Sequence, residues 1–392
     1  MKRFLYSSLC SLLMTVPGMA TAQEAQKAVD MLTDLGFENV AWHESEKELV
    51  YVIENTAYKQ NGKGIGLALD MLQKNGLPES KLCRVVVMDN NVPQISLTYR
   101  QGCDAEWNAG YGLGEEWKKA VKKGVKNSSL FKVDVVIYPE LSLKNLIINQ
   151  IYQVLFNLSP TVEISLWKGM KLAAQLVIPV YNDGYGDRAG KVHPGFITAR
   201  QSVRLPYNIW GNLTVGTFNN SRYGADLELK HVCLWDERFS IEGRIGMTAT
   251  YRWDGFECSY GTKSRFTWSI GGSFYWPKYN VQLTAKAEQY LLGEKGVRID
   301  AIRHFRNASI GFYAMKAQWA KSNAGFRVQV LLPPYKYKRR GYIPRVNISK
   351  NMGIAYNAGN ERFYYQTYKT MPGDNMMQAN MFNPYYIKSQ LR

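Results

Sequence analysis

The chain holds little of what acid–base, nucleophilic and metal chemistry usually needs. Its 392 residues include four histidines, His43, His193, His231 and His304, and five cysteines with no CxxC spacing, so no metal site is indicated. There is no GxSxG elbow, and the "GKGIG" stretch at 62–66 is not followed by the Lys-Ser/Thr of a phosphate loop. Asp300 and His304 share a strand face at i, i+4, but about 3.3 Å per residue puts them roughly 13 Å apart, too far to pair directly. The sequence implies neither a cofactor nor a catalytic group. Beyond the first residues, no apolar run reaches the ~18 positions a spanning helix needs. An exported chain without such a helix is either soluble, as a sandwich with its apolar face in a core, or a β-barrel, whose wall is half polar.

The start of the chain reads as an export signal. Lys2 and Arg3 precede an apolar run from Phe4 to Val16, then Ala20-Thr21-Ala22, a small-x-small cleavage pattern. Cys10 falls inside the apolar run, after Leu9. Export permits disulfides, and Cys83 with Cys103 and Cys233 with Cys258 are the sequence-near pairings; buried thiols are the alternative. Residues 25–36 place Ala28, Met31, Leu32 and Leu35 at helical spacing before Gly36. "ENVAWHE" and "ELVYVIEN" read as strands, 62–76 as a second helix closed by Gly76, and 81–100 as a hairpin turning at Asp89-Asn90-Asn91. The basic stretch 117–129 reads as a headgroup-touching segment or a solvated linker.

After Ser129 the pattern changes to period two. Candidate strands cover 131–141, 150–158, 160–167, 171–180, 196–205, 210–218, 222–230, 238–250, 265–276, 279–290, 296–305, 308–317 and 325–332. Many run near ten residues, the length of a membrane-barrel strand. Alternate side chains point to opposite faces. One face carries Ile164, Leu172, Ile178, Ile197, Val203, Ile241, Ile245 and Met247; the other carries Lys132, Asp134, Glu163, Lys171, Arg200, Arg204, Asp226, Glu228, Lys230, Glu242, Arg244, Lys286, Glu288, Arg298, Asp300 and Arg327. A Lys or Arg facing mid-bilayer lipid costs about 2–4 kcal/mol, so the charged face must line the interior of any barrel. Arg303 breaks the pattern, falling on the apolar parity between Ala301 and Phe305; it snorkels at an interface or a bulge shifts the register. Tyr138, Trp167, Tyr181, Tyr207, Trp210, Trp253, Trp276, Tyr279 and Tyr290 cluster near strand ends like an aromatic girdle. The expected last strand lies near "ERFYYQTY".

The sequence thus predicts a mainly β chain: a signal segment at 1–22, a small periplasmic α/β domain with linker at 23–127, and at 128–392 an outer-membrane antiparallel β-barrel of about 12–14 strands. The charge agrees with this division. Residues 23–127 hold 13 basic and 15 acidic side chains, whereas 128–392 hold 34 and 17. The basic excess points to an anionic partner such as a polyanionic glycan or lipopolysaccharide phosphate, or to plain solvated loop charge; export argues against nucleic acid. Arg200, Arg204, Arg244, Lys286, Arg298 and Arg327 are the candidate path for an acidic glycan, with an ion-pair lattice that shuts the barrel as the competing reading. "PPYKYKRRGYIPR" at 333–345 reads as a sugar-phosphate or headgroup clamp, or as a charged loop.

"SPTVEISLWKGMKLAAQLVIPVYNDGYG", "LPYNIWGNLTVGTFNNSRYGADLEL" and "EQYLLGEKGVRIDAIRHFRNASIGFYA" resemble the YjbH/GfcD family, and "LGFENVAWHESEKELVYVIENTAY" is similar to the periplasmic module that precedes the barrel there. The resemblance implies an outer-membrane barrel tied to exopolysaccharide and capsule export in Gram-negative bacteria, in contact with lipid, lipopolysaccharide and other envelope export proteins. The enterobacterial members repeat the module-plus-barrel plan; this chain has room for it once and resembles the Bacteroidetes branch. General porin, structural scaffold and outer-membrane hydrolase are the competing functions.

Overall fold

The computed structural model describes residues 17–145, 152–359 and 363–391; most of the expected signal segment lies outside them. The first unit is a five-stranded sheet, β1 (Glu38–Glu44), β2 (Glu48–Glu54), β3 (Leu82–Asp89), β4 (Val92–Tyr99) and β5 (Asn108–Gly110), paired in sequence order. The β2–β3 pair is parallel and is bridged by a crossover through α2 (Asn61–Asn75). Helix α1 (Pro17–Leu35) and α2 cover one face, where Leu32, Phe37, Tyr51, Ile53, Ile65, Leu69, Val85 and Ile95 are buried. Helix α3 (Glu116–Lys122) covers the other through Trp117 and Ala120, against Val50, Val52 and Val86. Burial on both faces explains why β2 and β3 read as continuous apolar runs. The β3–β4 hairpin turns through Asn90 and Asn91 at φ 49° and 61°, the left-handed pair a two-residue turn requires. The basic helix α3 is therefore part of this unit's packing. The four described cysteines are free, with Cys83 buried and Cys103 exposed.

The second unit is one large sheet of β6 (Val133–Asn145), β7 (Tyr152–Ser165), β8 (Met170–Asp183), β9 (His193–Leu205), β10 (Ile209–Phe218), β11 (Arg222–Val232), β12 (Phe239–Asp254), β13 (Glu257–Tyr260), β14 (Arg265–Trp276), β15 (Val281–Gln289), β16 (Lys295–His304), β17 (Ala308–Ala317), β18 (Asn323–Leu331), β19 (Arg345–Ile348) and β20 (Asn351–Asn357). Neighbours along the chain pair antiparallel, β13 adding a short extension to β12. The hydrogen-bonded path is open: it starts at β19, which pairs parallel with β6, and ends at β20, which pairs with β18. Because β19 and β20 are joined by Ser349 and Lys350 alone, the sheet must curl until its ends meet, and β20 lies beside β6 without a ladder between them.

The period-two pattern fixes the faces. Val162, Ile178, Ile197, Val203, Leu213, Leu229, Ile241, Ile245, Met247, Ile270, Val297, Ile299 and Phe312 are exposed on the outside, while Thr161, Gln175, Thr198, Thr214, Asp226, Thr248, Thr284, Glu288 and Asp300 are buried within. The expected strands 150–158 and 160–167 are one strand, β7. β15–β16 pairing is unbroken across Arg303, so no bulge rescues that residue: it faces outward at the strand's end. The aromatic girdle is corrected in part. Trp167, Tyr181, Tyr207, Trp276 and Tyr279 are exposed, but Tyr290 is buried and Tyr138 turns its hydroxyl inward to Glu163.

Of "ERFYYQTY", Glu361 and Arg362 lie outside the described residues and 363–368 form no strand. The sheet already ends at Asn357, and residues 363–391 form a tail carrying α4 (Met376–Asn380) and α5 (Pro384–Gln390). Helix α5 lies against α2, which explains "GKGIG". A Cβ on Gly62 would collide with the Gln390 side chain, and one on Gly66 would sit 3.1 Å from the Leu391 carbonyl oxygen.

Candidate functional site

The interior of the curled sheet is a lattice of ion pairs crossed by the tail. Its wall is set by register. Glu228 opposes Arg244, Lys230 opposes Glu242, and Lys286 opposes Arg298. Two cations directly opposite each other repel, and acids on either side relieve the repulsion. Arg298 is bidentate on Asp300, at 2.8 and 3.0 Å. Lys286 reaches Glu242 at 3.5 Å across Gly271, where a Cβ would stand 2.7 Å from the lysine's own. Arg327 donates to the same Asp300. Arg244 donates to both oxygens of Asp226, at 3.0 and 2.9 Å.

Of the six candidate path residues, Arg200, Arg244, Lys286, Arg298 and Arg327 line the interior cavity, and every one of those five is ion-paired. Arg204 lies elsewhere, at the end of the sheet that carries the α/β unit. Its guanidinium donates to the Gln94 carbonyl at 2.7 Å and to the Tyr111 carbonyl, and stacks 4.5 Å from the Trp210 ring. These cations hold the molecule's own groups together rather than standing free, and Arg204 fastens the α/β unit to the sheet.

Sequence reasoning missed the tail, which supplies the centre of the site. Asp374 receives two bonds from Arg200, at 2.9 and 2.7 Å, one from Thr370 and one from the Met371 amide. Tyr368 donates to Asp226 at 2.6 Å, its ring stacks on Phe218 at 5.4 Å, and its carbonyl accepts from Arg244. Gly246 makes room: a Cβ there would collide with the Tyr368 hydroxyl. Farther along, Asn380 lies 2.9 Å from His304 Nε2, and Ser309 Oγ lies 2.7 Å from Nδ1. The amide nitrogen can only donate, so Nε2 accepts and Nδ1–H donates to Ser309. That tautomer cannot take a proton from the serine, so this buried trio is an anchor for the tail. The legible signals were Asn375 and Asn383, each capping the helix that follows it, with Pro384 after the second.

A strap closes the other side. Residues 333–345 run between the α/β unit and β6. The Lys59 amide donates to the Tyr335 carbonyl and the Tyr337 amide to that of Ala57. Arg339 bridges Glu38 and Asp134, and Arg345 is bidentate on Asp134 at 2.8 and 2.9 Å. Lys132 meets Glu38 at 2.8 Å, both almost fully buried. The segment expected as a sugar-phosphate clamp or charged loop thus commits two of its three arginines, Arg339 and Arg345, to carboxylates of this chain.

Burial and nearby Asp89 push Glu54, in the same junction, up to about 7, against the lowering effect of hydrogen bonds from Asn91 and Asn39. Burial and the neighbouring cations Lys350 and Arg345 bring Lys59 down to about 8. What space remains is a polar cavity of about 1780 Å³, reaching from Glu54 and Asp89 at one end to Arg188 and Asn219 at the other. Among the described residues no three His, Cys, Asp or Glu side chains gather to hold a metal.

No protein-family model and no curated protein sequence matches the chain. Among solved structures, a loop-deletion mutant of OmpT, an outer membrane protein of Vibrio cholerae, aligns at 8% identity and a TM-score of 0.27, covering 50% of this chain and 85% of its own. A mutant Rh. blastica porin aligns at 9% identity and a TM-score of 0.29, covering 51% and 90%. Both superpositions are too loose to carry a functional argument. The firm conclusion is architectural: a mostly β chain whose large antiparallel sheet turns an apolar face outward and an ionised, tail-filled face inward.

Proposed function

We propose that the chain is an outer-membrane β-barrel that works in exopolysaccharide or capsule secretion, with the α/β unit closing its periplasmic end. The observation that carries the membrane reading is the outward belt of aliphatic and aromatic side chains. Water-soluble monomers rarely expose a contiguous apolar surface of this kind, and a sheet can meet lipid only when its edges are brought together and its charges face inward. The quoted segments that resemble the YjbH/GfcD family support the export role. An acidic glycan would travel along the residual cavity, past carboxylates and cations that exchange partners as it moves. A constitutively open porin fits less well, because the tail crosses the interior.

Deleting the gene and measuring the amount and chain length of each surface polysaccharide tests the export role. Loss or shortening of one acidic glycan is expected. Unchanged glycans throughout, with the protein present in the parent strain's outer membrane, would leave a structural scaffold as the better account.

A further inference from the structure

Arg303 lies on the outward parity of β16, as Lys295 does at the strand's other end, and the interior lattice does not explain it. It sits at the end of β16, exposed, with its guanidinium 5.0 Å from the Phe305 ring. It lines a second cavity of about 300 Å³, together with Lys278, Arg306, Tyr279, Ser389 and Gln390, and no acidic side chain. Lys278 is exposed, 5.4 Å from the Tyr279 ring. Among the described residues, neither Lys278 nor Arg303 has an ion-pair partner. The walls are fixed from behind: Tyr386 donates to the Phe305 carbonyl at 3.2 Å, Gln60 to the Arg306 carbonyl at 2.8 Å, and the His304 amide to the Asn280 carbonyl at 2.8 Å. On the side away from the α/β unit the cavity meets the apolar belt, where Leu283, Ile299 and Phe312 are exposed; Trp276 and Tyr279 stand exposed at its rim.

We propose that this cavity binds the phosphate of an anionic phospholipid in the leaflet nearest the α/β unit. A guanidinium fork and an ammonium match a phosphodiester's charge and oxygens. The aromatic rim sits at headgroup depth, and the acyl chains lie along the belt. A cation on the lipid face is costly in hydrocarbon and favourable beside a headgroup phosphate, which accounts for an arginine at the strand's last turnward position. The site rests on the membrane reading above.

The test places the full chain in nanodiscs of phosphatidylcholine doped with phosphatidylglycerol and counts, by native mass spectrometry, the lipid kept on release. Preferential retention of phosphatidylglycerol is expected. It should fall about thirtyfold in Lys278→Ala/Arg303→Ala and stay unchanged in Arg238→Ala, whose side chain is held by Asp236 on the same rim. Equal retention of both lipids, or the same loss in Arg238→Ala, overturns the proposal. Displacement of the lipid by millimolar inorganic phosphate overturns the lipid assignment in favour of a free-anion site. A chain that stays out of the nanodiscs altogether fails at the earlier step and removes the membrane reading with it.

Discussion

Arg200 on β9 holds Asp374 of the tail through two parallel N–H···O bonds, 2.9 and 2.7 Å long, joining residues 174 positions apart. The pair sits where the tail crosses the interior, and Thr370 and the Met371 amide complete the carboxylate's shell. Removing one member of this part-buried, charge-assisted pair costs about 1.5–3 kcal/mol. Asp374→Asn should therefore speed hydrogen exchange of the 366–380 amides by about tenfold to a hundredfold, with strand amides of β9–β12 unaffected. In planar bilayers the parent chain should be silent and the variant conductive. Unchanged tail exchange would show that Arg200 and Asp374 do not fasten it.

The junction carries a pH dependence. Glu54 has its pKa raised from 4.5 to about 7 in the folded chain, chiefly by burial. The native state therefore binds this proton more tightly than the unfolded state. The contribution is fully present below about pH 4.5 and lost as pH rises through about 7, roughly 3 kcal/mol in all. Lys59 acts higher: its depressed pKa contributes stability at high pH that is lost as pH falls through about 8. Between pH 5 and 7 the Glu54 effect should dominate. Denaturant midpoints of the α/β unit, followed within the full chain, should decline across that window, and Glu54→Gln should flatten the slope. A slope untouched by Glu54→Gln would assign the dependence to another group.

Arg339 should behave as a bridge between units. Its guanidinium spans Glu38 and Asp134, both also served by other cations. Arg339→Ala should destabilise the junction by about 3 kcal/mol and hasten protease cleavage within 123–130. Arg339→Lys should not rescue it, because one ammonium lacks the fork that reaches two carboxylates. Full rescue by lysine would reduce the strap to a simple charge effect.

The division of faces was legible in the sequence because a strand's side-chain period leaves no freedom. Lys171, Arg200, Asp226, Glu242, Arg298 and Arg327 all lie on the inner parity that alternation assigned them. The hairpin at Asn90-Asn91 and both helices ahead of it were readable for equally local reasons. The tail was not. Its hold on the wall comes from single contacts at irregular spacing, such as Tyr368 to Asp226 and Asn380 to His304, and no periodicity announces them. "ERFYYQTY" has strand-like composition, yet the last paired strand is the shorter "NMGIAYN", where Met352, Ile354 and Tyr356 alternate with small or polar residues. Partners of the candidate path residues were mostly hidden: Arg244, Lys286 and Arg327 depend on which acid the register sets beside them and Arg200 on the tail, whereas Arg298 pairs with Asp300 two residues along its own strand.

The outer face gives a direct energetic prediction. Ile245 is about half exposed on β12. On a water-facing sheet Ile245→Arg would be nearly neutral; facing lipid it should cost about 2–4 kcal/mol. Folding yield into vesicles, read by the electrophoretic shift between unheated and heated samples, should drop for Ile245→Arg. It should hold for Ser269→Thr, on the inner face of the neighbouring strand.

The most direct test is flotation of the full chain with lipid vesicles after urea washing. The account predicts that the protein rises with the vesicles and needs detergent to leave them. A monodisperse protein that stays at the bottom of the gradient and in solution without detergent would contradict it.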